Sequence, residues 1–390
     1  MEKFDEVINR RGTSCIKYDF AEERGLPADV LPLWVADMDF RSPEPVITEL
    51  AKRSQHGIFG YSGIRDDYRE VLSDWFRQQH NWNPDMKSLI ITPGVVFAIC
   101  TAIRAFTQED AGVLICPPVY YPFSASIRDN HRRLVESTLV ESNGRYEIDF
   151  VDFEQKIIDE QVKMFILCSP HNPVGRVWTK DELSRLAEIC QRHHVLVVAD
   201  EIHHDFIRPG HQHTVFSTLS DAVANNTITC TSPSKTFNLA GLQLSNIFIP
   251  NESLRRKFKQ ELLATGYGEP NIFGMTAAKA AYGQGLPWLT ELKSYLEENL
   301  QRTKNYLAAN LPKARLIEPE GTYLIWIDFS AYNLSDEVLD DLIINKGRVW
   351  LDSGHIFGAG GQGFQRINIA CPWQVLSDGL SRLDKAFATI

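Results

Sequence analysis

Nothing limits the possible folds of this chain more than an alternation that begins near residue 88. Short, almost wholly apolar runs follow one another: SLIIT (88–92), GVLICP (112–117), KMFILCSP (163–170), VLVVADE (195–201), TITCTS (227–232) and LSNIFIP (244–250). Segments with helical periodicity separate several of them, such as VVFAICTAIRAF and TKDELSRLAEICQRH, the latter with Thr179 as N-cap and Glu182 three residues on. Strands apolar on both sides of the pleat need cover on both faces, so the pattern predicts a mostly parallel α/β sheet between helices. The character changes later, with a long helical pattern (287–310), the strand-like GTYLIWIDF, a helix (335–346), the strand FQRINIA and a last helix after Pro372. We read a smaller α+β domain there, joined by the N-terminal segment: residues 1–48 as that segment, 49–285 as the large domain and 286–390 as the small one.

Polar residues gather at the carboxyl ends of the apolar runs, where open α/β sheets bind ligands. Ser169-Pro170-His171-Asn172 ends one run, Asp200-Glu201 another, and Ser232 to Lys235 a third. Lys235 stands among small hydroxyl residues, and lysine is the side chain that forms Schiff bases with carbonyl compounds. With the Gly94 turn, which opens a helix and presents backbone N–H groups, the hydroxyls make a cradle for a phosphate. Asp200 closes VLVVAD, where a carboxylate is costly to bury unless a cation such as a protonated pyridine nitrogen meets it. Tyr120, in CPPVYYPF, offers a ring face for stacking.

Other signals carry less. Gly358-Ala-Gly360-Gly-Gln-Gly363 fits the dinucleotide-binding spacing, but it precedes a strand where that motif opens a helix after one, so a loop is predicted. His203, His204, His211 and His213 come without a cysteine or HExxH partner, and no metal is expected. The formal charge of −10 argues against nucleic acid or an anionic membrane as partner. The first residues lack the apolar stretch of a signal peptide, no run is long enough to span a bilayer, and the seven scattered cysteines suit reduced thiols, so a cytoplasmic protein is expected.

SPHNPVG, ADEIHHD and SPSKTFNLAG, in this order and spacing, resemble the fold-type I, pyridoxal-phosphate-dependent aminotransferase superfamily (class I/II) over nearly the whole chain. WVADMDF (34–40), FGYS (59–62), DEIHHD and FQRINIACP are most similar to its cystathionine β-lyase or carbon–sulfur lyase branch. The resemblance implies pyridoxal 5′-phosphate as cofactor, bound covalently by Lys235, with Asp200 on the pyridinium nitrogen and Asn172 and His203 on the ring's 3′ oxygen. It implies that Tyr120 stacks on the ring, and that Ser232, Ser234 and the amides of Val95 and Val96 hold the phosphate, helped by Tyr61 from a second subunit of a homodimer. Arg366 would grip the substrate α-carboxylate in a two-point contact, with Tyr120 and Asn172 beside it. Gln243 stands where many aminotransferases carry a phosphate-binding arginine. The implied reaction is β-elimination from cystathionine or an S-substituted cysteine, giving thiol (homocysteine), pyruvate and ammonia. Two alternatives stay open on sequence: an aminotransferase using the same lysine, aspartate and arginine, and a lyase-fold protein with an added transcription-regulatory binding role.

Overall fold

The computed structural model describes residues 2–390. Its centre is a seven-stranded sheet of β1 (Leu89–Thr92), β2 (Gly112–Ile115), β3 (Arg133–Glu136), β4 (Met164–Cys168), β5 (Leu196–Asp200), β6 (Thr227–Thr231) and β7 (Ser245–Phe248). The order is β1-β7-β6-β5-β4-β2-β3, with β7 antiparallel to both neighbours and the other pairs parallel. Every residue of the six strands other than β3 is buried, as double-sided cover requires. Helix α1 (Val95–Phe106) follows β1 and packs on this sheet. Helix α2 (Lys180–Arg192) links β4 to β5 and opens on a capping box. Thr179 Oγ1 accepts from the Glu182 amide at 3.2 Å, and the Glu182 carboxylate accepts from the Thr179 amide at 2.7 Å.

Register decides where the chemistry sits. Cys168 pairs with Asp200 and Asp200 with Cys230, while Asn246 faces Thr231 and Ser245 faces Thr92. The ends of β1, β4, β5 and β6 and the start of β7 therefore lie along one edge, and the loops after them open onto the same space.

A second, antiparallel sheet holds β8 (Arg315–Ile317), β9 (Leu324–Asp328), β10 (Asp352–Ser353) and β11 (Phe364–Asn368), in the order β8-β9-β11-β10. The N-terminal segment joins this half: Leu31–Pro32 pair in parallel with Val349–Trp350, and Phe4 packs on Trp288 and Tyr295 of helix α3 (Leu286–Asn310). One apolar core runs without a break from Trp75 and Phe248 in the first half to Leu380 and Phe387 in the second. The helix expected at 335–346 forms over Asp336–Asp341 and widens into a π-turn at Leu342–Lys346. The glycine-rich loop precedes β11 and packs on a proline pair: a Cβ on Gly358, at φ 94°, would meet Pro117 at 3.1 Å. Among the described residues no helix is long and apolar enough to cross a membrane.

Candidate active site

The loops at the shared sheet edge enclose a cavity of about 190 Å³. Its walls include Gly94, Val95 and Val96 from the start of α1, Ser234 and Lys235 after β6, Asp200 and His203 after β5, Asn172 after β4, and Tyr120. These are residues expected from sequence, and they reach the cavity because successive strand ends converge there. The first amides of α1 have no partner within the helix, and the helix dipole adds positive potential at that end. Ser232 is spent one layer behind. Its hydroxyl accepts from the Ser234 amide at 3.1 Å, donates to the Leu244 carbonyl at 2.7 Å and lies 2.7 Å from the Ser234 hydroxyl. It acts as N-cap of the short turn Pro233–Thr236 that carries Lys235, a role its place before Pro233 already signals. Gln243 is exposed and does not border the cavity, and Tyr61, 98% exposed, lies outside it in this chain.

Burial strips charge from the groups inside. Asp200 is pushed up to about 7 by burial, against the Ile202 amide, which donates to it at 3.1 Å, and the nearby Lys235. The Lys235 amine is brought down to about 8, again first by burial. His203 is held well below the usual histidine value by burial and then by Lys235 and Arg366, so its ring is neutral. Its Nδ1 is buried with no protein partner, and so is Ser245 Oγ in the cavity wall. Buried polar atoms without partners are rare, and two around one cavity point to a polar guest.

Arg366, 2% exposed, donates to Asn172 Oδ1 at 2.9 Å and to the Trp34 carbonyl at 3.0 Å, and it pairs with Asp352. It therefore reaches the same wall as Asn172 with a fixed orientation. The backbone beneath it does further holding. Residues 34–40 form a strap whose carbonyls accept in turn: Trp34 from Arg366, Val35 and Asp37 from Asn368, Met38 and Phe40 from Asn238. At its middle, the Ala36 carbonyl accepts from Lys235 Nζ at 2.7 Å and from the Tyr323 hydroxyl at 3.0 Å. The WVADMDF motif signalled that this stretch matters; nothing in its side chains signalled that its carbonyls do the holding.

The residues fit pyridoxal phosphate. Helix amides and the Ser234 hydroxyl suit its phosphate, Asp200 a ring nitrogen, Asn172 and the unpartnered His203 a ring oxygen, and Lys235 an aldehyde carbon. A family model described as aminotransferase class I and II matches residues 28–383. The chain is similar to cystathionine beta-lyase PatB of Bacillus subtilis, with 44% identity over 385 residues, covering 99% of this chain and 100% of that protein. Its fold is similar to that of cystalysin from Treponema denticola, which contains a pyridoxal 5′-phosphate cofactor (TM-score 0.96, 38% identity, 99% of this chain and 98% of the other). It is also similar to the pyridoxal-phosphate-bound C–S lyase from Staphylococcus hominis (TM-score 0.92, 34% identity, 98% and 97% covered).

Proposed function

Since the chain belongs to the class I and II aminotransferase family, we propose that the cavity at the sheet edge is where it works as a pyridoxal-phosphate-dependent carbon–sulfur β-lyase. The observation that carries the site assignment is the convergence of an amine, a carboxylate, an imidazole and an amide, from the ends of the three strands β4, β5 and β6, on one cavity. The substrate we assign is cystathionine or another S-substituted cysteine, split to a thiol (homocysteine from cystathionine), pyruvate and ammonia.

Arg366 binds the substrate α-carboxylate, its guanidinium already aimed by Asn172, Asp352 and the Trp34 carbonyl. That contact fixes the amino acid so that its Cα–H faces the Lys235 amine. With a value of about 8, this amine has an uncharged fraction at neutral pH and can take the Cα proton. Bound pyridoxal phosphate supplies the electron sink for the pair left at Cα. Asp200 keeps a proton on the ring nitrogen, which sustains that sink. The Cβ–S bond then breaks with the sulfur keeping the electron pair, and the ammonium of Lys235 can return its proton to the departing thiolate. Water finishes the reaction, giving pyruvate and ammonia.

The supporting assay supplies cystathionine without any keto acid. Continuous release of pyruvate and thiol is the expected result; a single turnover that resumes only on adding a keto acid would mean an aminotransferase. Exposed apolar residues Ile58, Phe59 and Tyr61, at 67, 54 and 98%, support a homodimer in which this loop lies against a second copy. Seven free thiols, five of them buried, support a cytoplasmic setting. The two sheets support division at residues 48 and 285 into an N-terminal segment, a large and a small domain.

A further inference from the structure

On the far side of the Lys235 turn, a second group of side chains meets around Asp205. Its carboxylate accepts from His80 Nε2 at 2.8 Å and from the Thr236 hydroxyl at 2.6 Å. His204 Nε2 lies 3.3 Å from Asp205 Oδ2. That last contact is odd. The other ring nitrogen of His204, Nδ1, is 2.5 Å from the Glu201 carbonyl, which can only accept, so Nδ1 carries the proton. In the neutral ring Nε2 then has only a lone pair, and it faces a carboxylate oxygen that also has none to give. His204 is 1% exposed, and its Nε2 has no hydrogen-bond partner. The cation bordering the adjoining cavity of about 390 Å³, Lys293, feels the charge of Asp205 but makes no hydrogen bond or ion pair among the described residues.

We propose that His80 Nε2, His204 Nε2 and Asp205 bind a divalent first-row transition-metal ion, with Zn²⁺ the best match. One ligand atom from each of the three residues lies within 4.8 Å of the others, close enough for small side-chain movements to bring them to Zn–N and Zn–O distances of about 2.0–2.2 Å. Two imidazoles and a carboxylate suit Zn²⁺, and the cavity beside them, bordered also by His213 and His211, leaves the fourth position to water. The Nδ1–H of His204 on a backbone carbonyl is the outer hydrogen bond that metal-binding histidines ordinarily make. Binding requires the neutral His80 ring to carry its proton on Nδ1, which leaves the Nε2 lone pair for the metal. The site is separate from the cavity that faces Lys235, and it does not depend on the lyase reading. His80, 125 residues before Asp205, would supply the ligand that the histidines at 203–213 lack.

The test titrates chelator-treated holoenzyme with Co²⁺ and reads the ligand-field bands of four-coordinate cobalt, then displaces it with Zn²⁺. One equivalent per chain is expected, with Zn²⁺ abolishing the bands. His204→Ser and His80→Gln should each weaken binding by roughly 100-fold or more, while His211→Ala, at an exposed position, leaves it within a few-fold. No ligand-field band in the wild-type protein, or equal affinity in wild type and His204→Ser, would overturn the assignment. Should His80→Gln fail to fold, the wild-type titration and His204→Ser decide it.

Discussion

On one side of the strap at residues 34–40, Lys17, Arg10, Asp37 and Asp39 form a cluster in which each charge meets an opposite one. On the other side, Lys235, Asp200 and His203 share a cavity. In the cluster, Lys17 Nζ reaches Asp39 at 2.9 Å, Arg10 reaches Asp39 and Asp37 at 2.7 Å each, and the Tyr18 hydroxyl adds a 3.0 Å bond to Asp39. Burial works to lower the Lys17 and Arg10 values, yet the two carboxylates overcome it and hold both above their usual values. Asp37 is likewise kept below the usual carboxylate range despite its burial. In the cavity burial wins: the acid rises, the amine and imidazole fall. Both regions bury ionisable groups beside one strand of backbone. The cluster completes its pairing inside the chain, whereas the cavity leaves its pairing to a guest, and that difference separates a structural site from a chemical one.

The largest effect expected from that contrast is on turnover. Lys235→Ala should cut pyruvate formation by roughly 10³–10⁴-fold, because the group that moves the Cα proton is gone. The paired cluster keeps its own hydrogen bonds and loses only the pull of Lys235 on Asp37, so the unfolding midpoint should stay near that of the wild type. Retention of near-wild-type turnover would remove Lys235 from the chemistry.

Asp39→Asn reverses the pattern. It leaves Lys17, which is 1% exposed, without its closest counter-charge. Breaking a buried pair from one side costs about 3–5 kcal/mol, so chemical denaturation should show a loss of that order. Turnover per folded molecule should fall by less than about tenfold, since no cavity wall is altered. A variant that keeps full stability yet loses turnover would place Asp39 in the chemistry and break the contrast.

Arg366→Lys tests the border between the regions, for Arg366 touches both the strap and Asn172. An ammonium cannot reproduce a two-point contact with a carboxylate, and kcat/KM for cystathionine should fall by about 100-fold, carried mostly by KM. An unchanged KM would mean that another group binds the α-carboxylate.

The fold and most of the cavity were legible because their signals are local. Apolar runs ending in Asp200 and in the Ser232–Lys235 turn mark strand ends, and strand ends in a parallel sheet share an edge. What was not legible is carried by backbone or by distance. Lys235 and Tyr323 reach the Ala36 carbonyl from 199 and 287 residues away, and a carbonyl oxygen leaves no trace in residue identity. Asp352 meets Arg366 only because β10 pairs with β11 in the register Asp352–Arg366. Ser232 and Ser234 look alike in the sequence, but Ser232 is the N-cap and only Ser234 borders the cavity.

The smallest effect, and the sharpest test of the cavity's half of the contrast, comes from Asp200→Asn in the cofactor-free protein. The folded-state value of Asp200, about 7, lies above its ordinary 3.8. Between those pH values the native state holds a proton that the unfolded state has lost, so its contribution to stability falls as pH rises through that window and levels off above 7. An asparagine has no such proton to lose. The variant should match the wild type near pH 4 and exceed it above pH 7, by about 1–4 kcal/mol, as read from urea unfolding at both pH values. Pyridoxal phosphate should then reverse the order at pH 8, because the pyridinium gives the buried carboxylate its missing counter-charge and gives the amide much less, while turnover in the variant drops sharply. A stability gap independent of pH would show that Asp200 is already paired within the chain. The cavity would then belong with the Lys17 cluster, as a site whose charges need no guest.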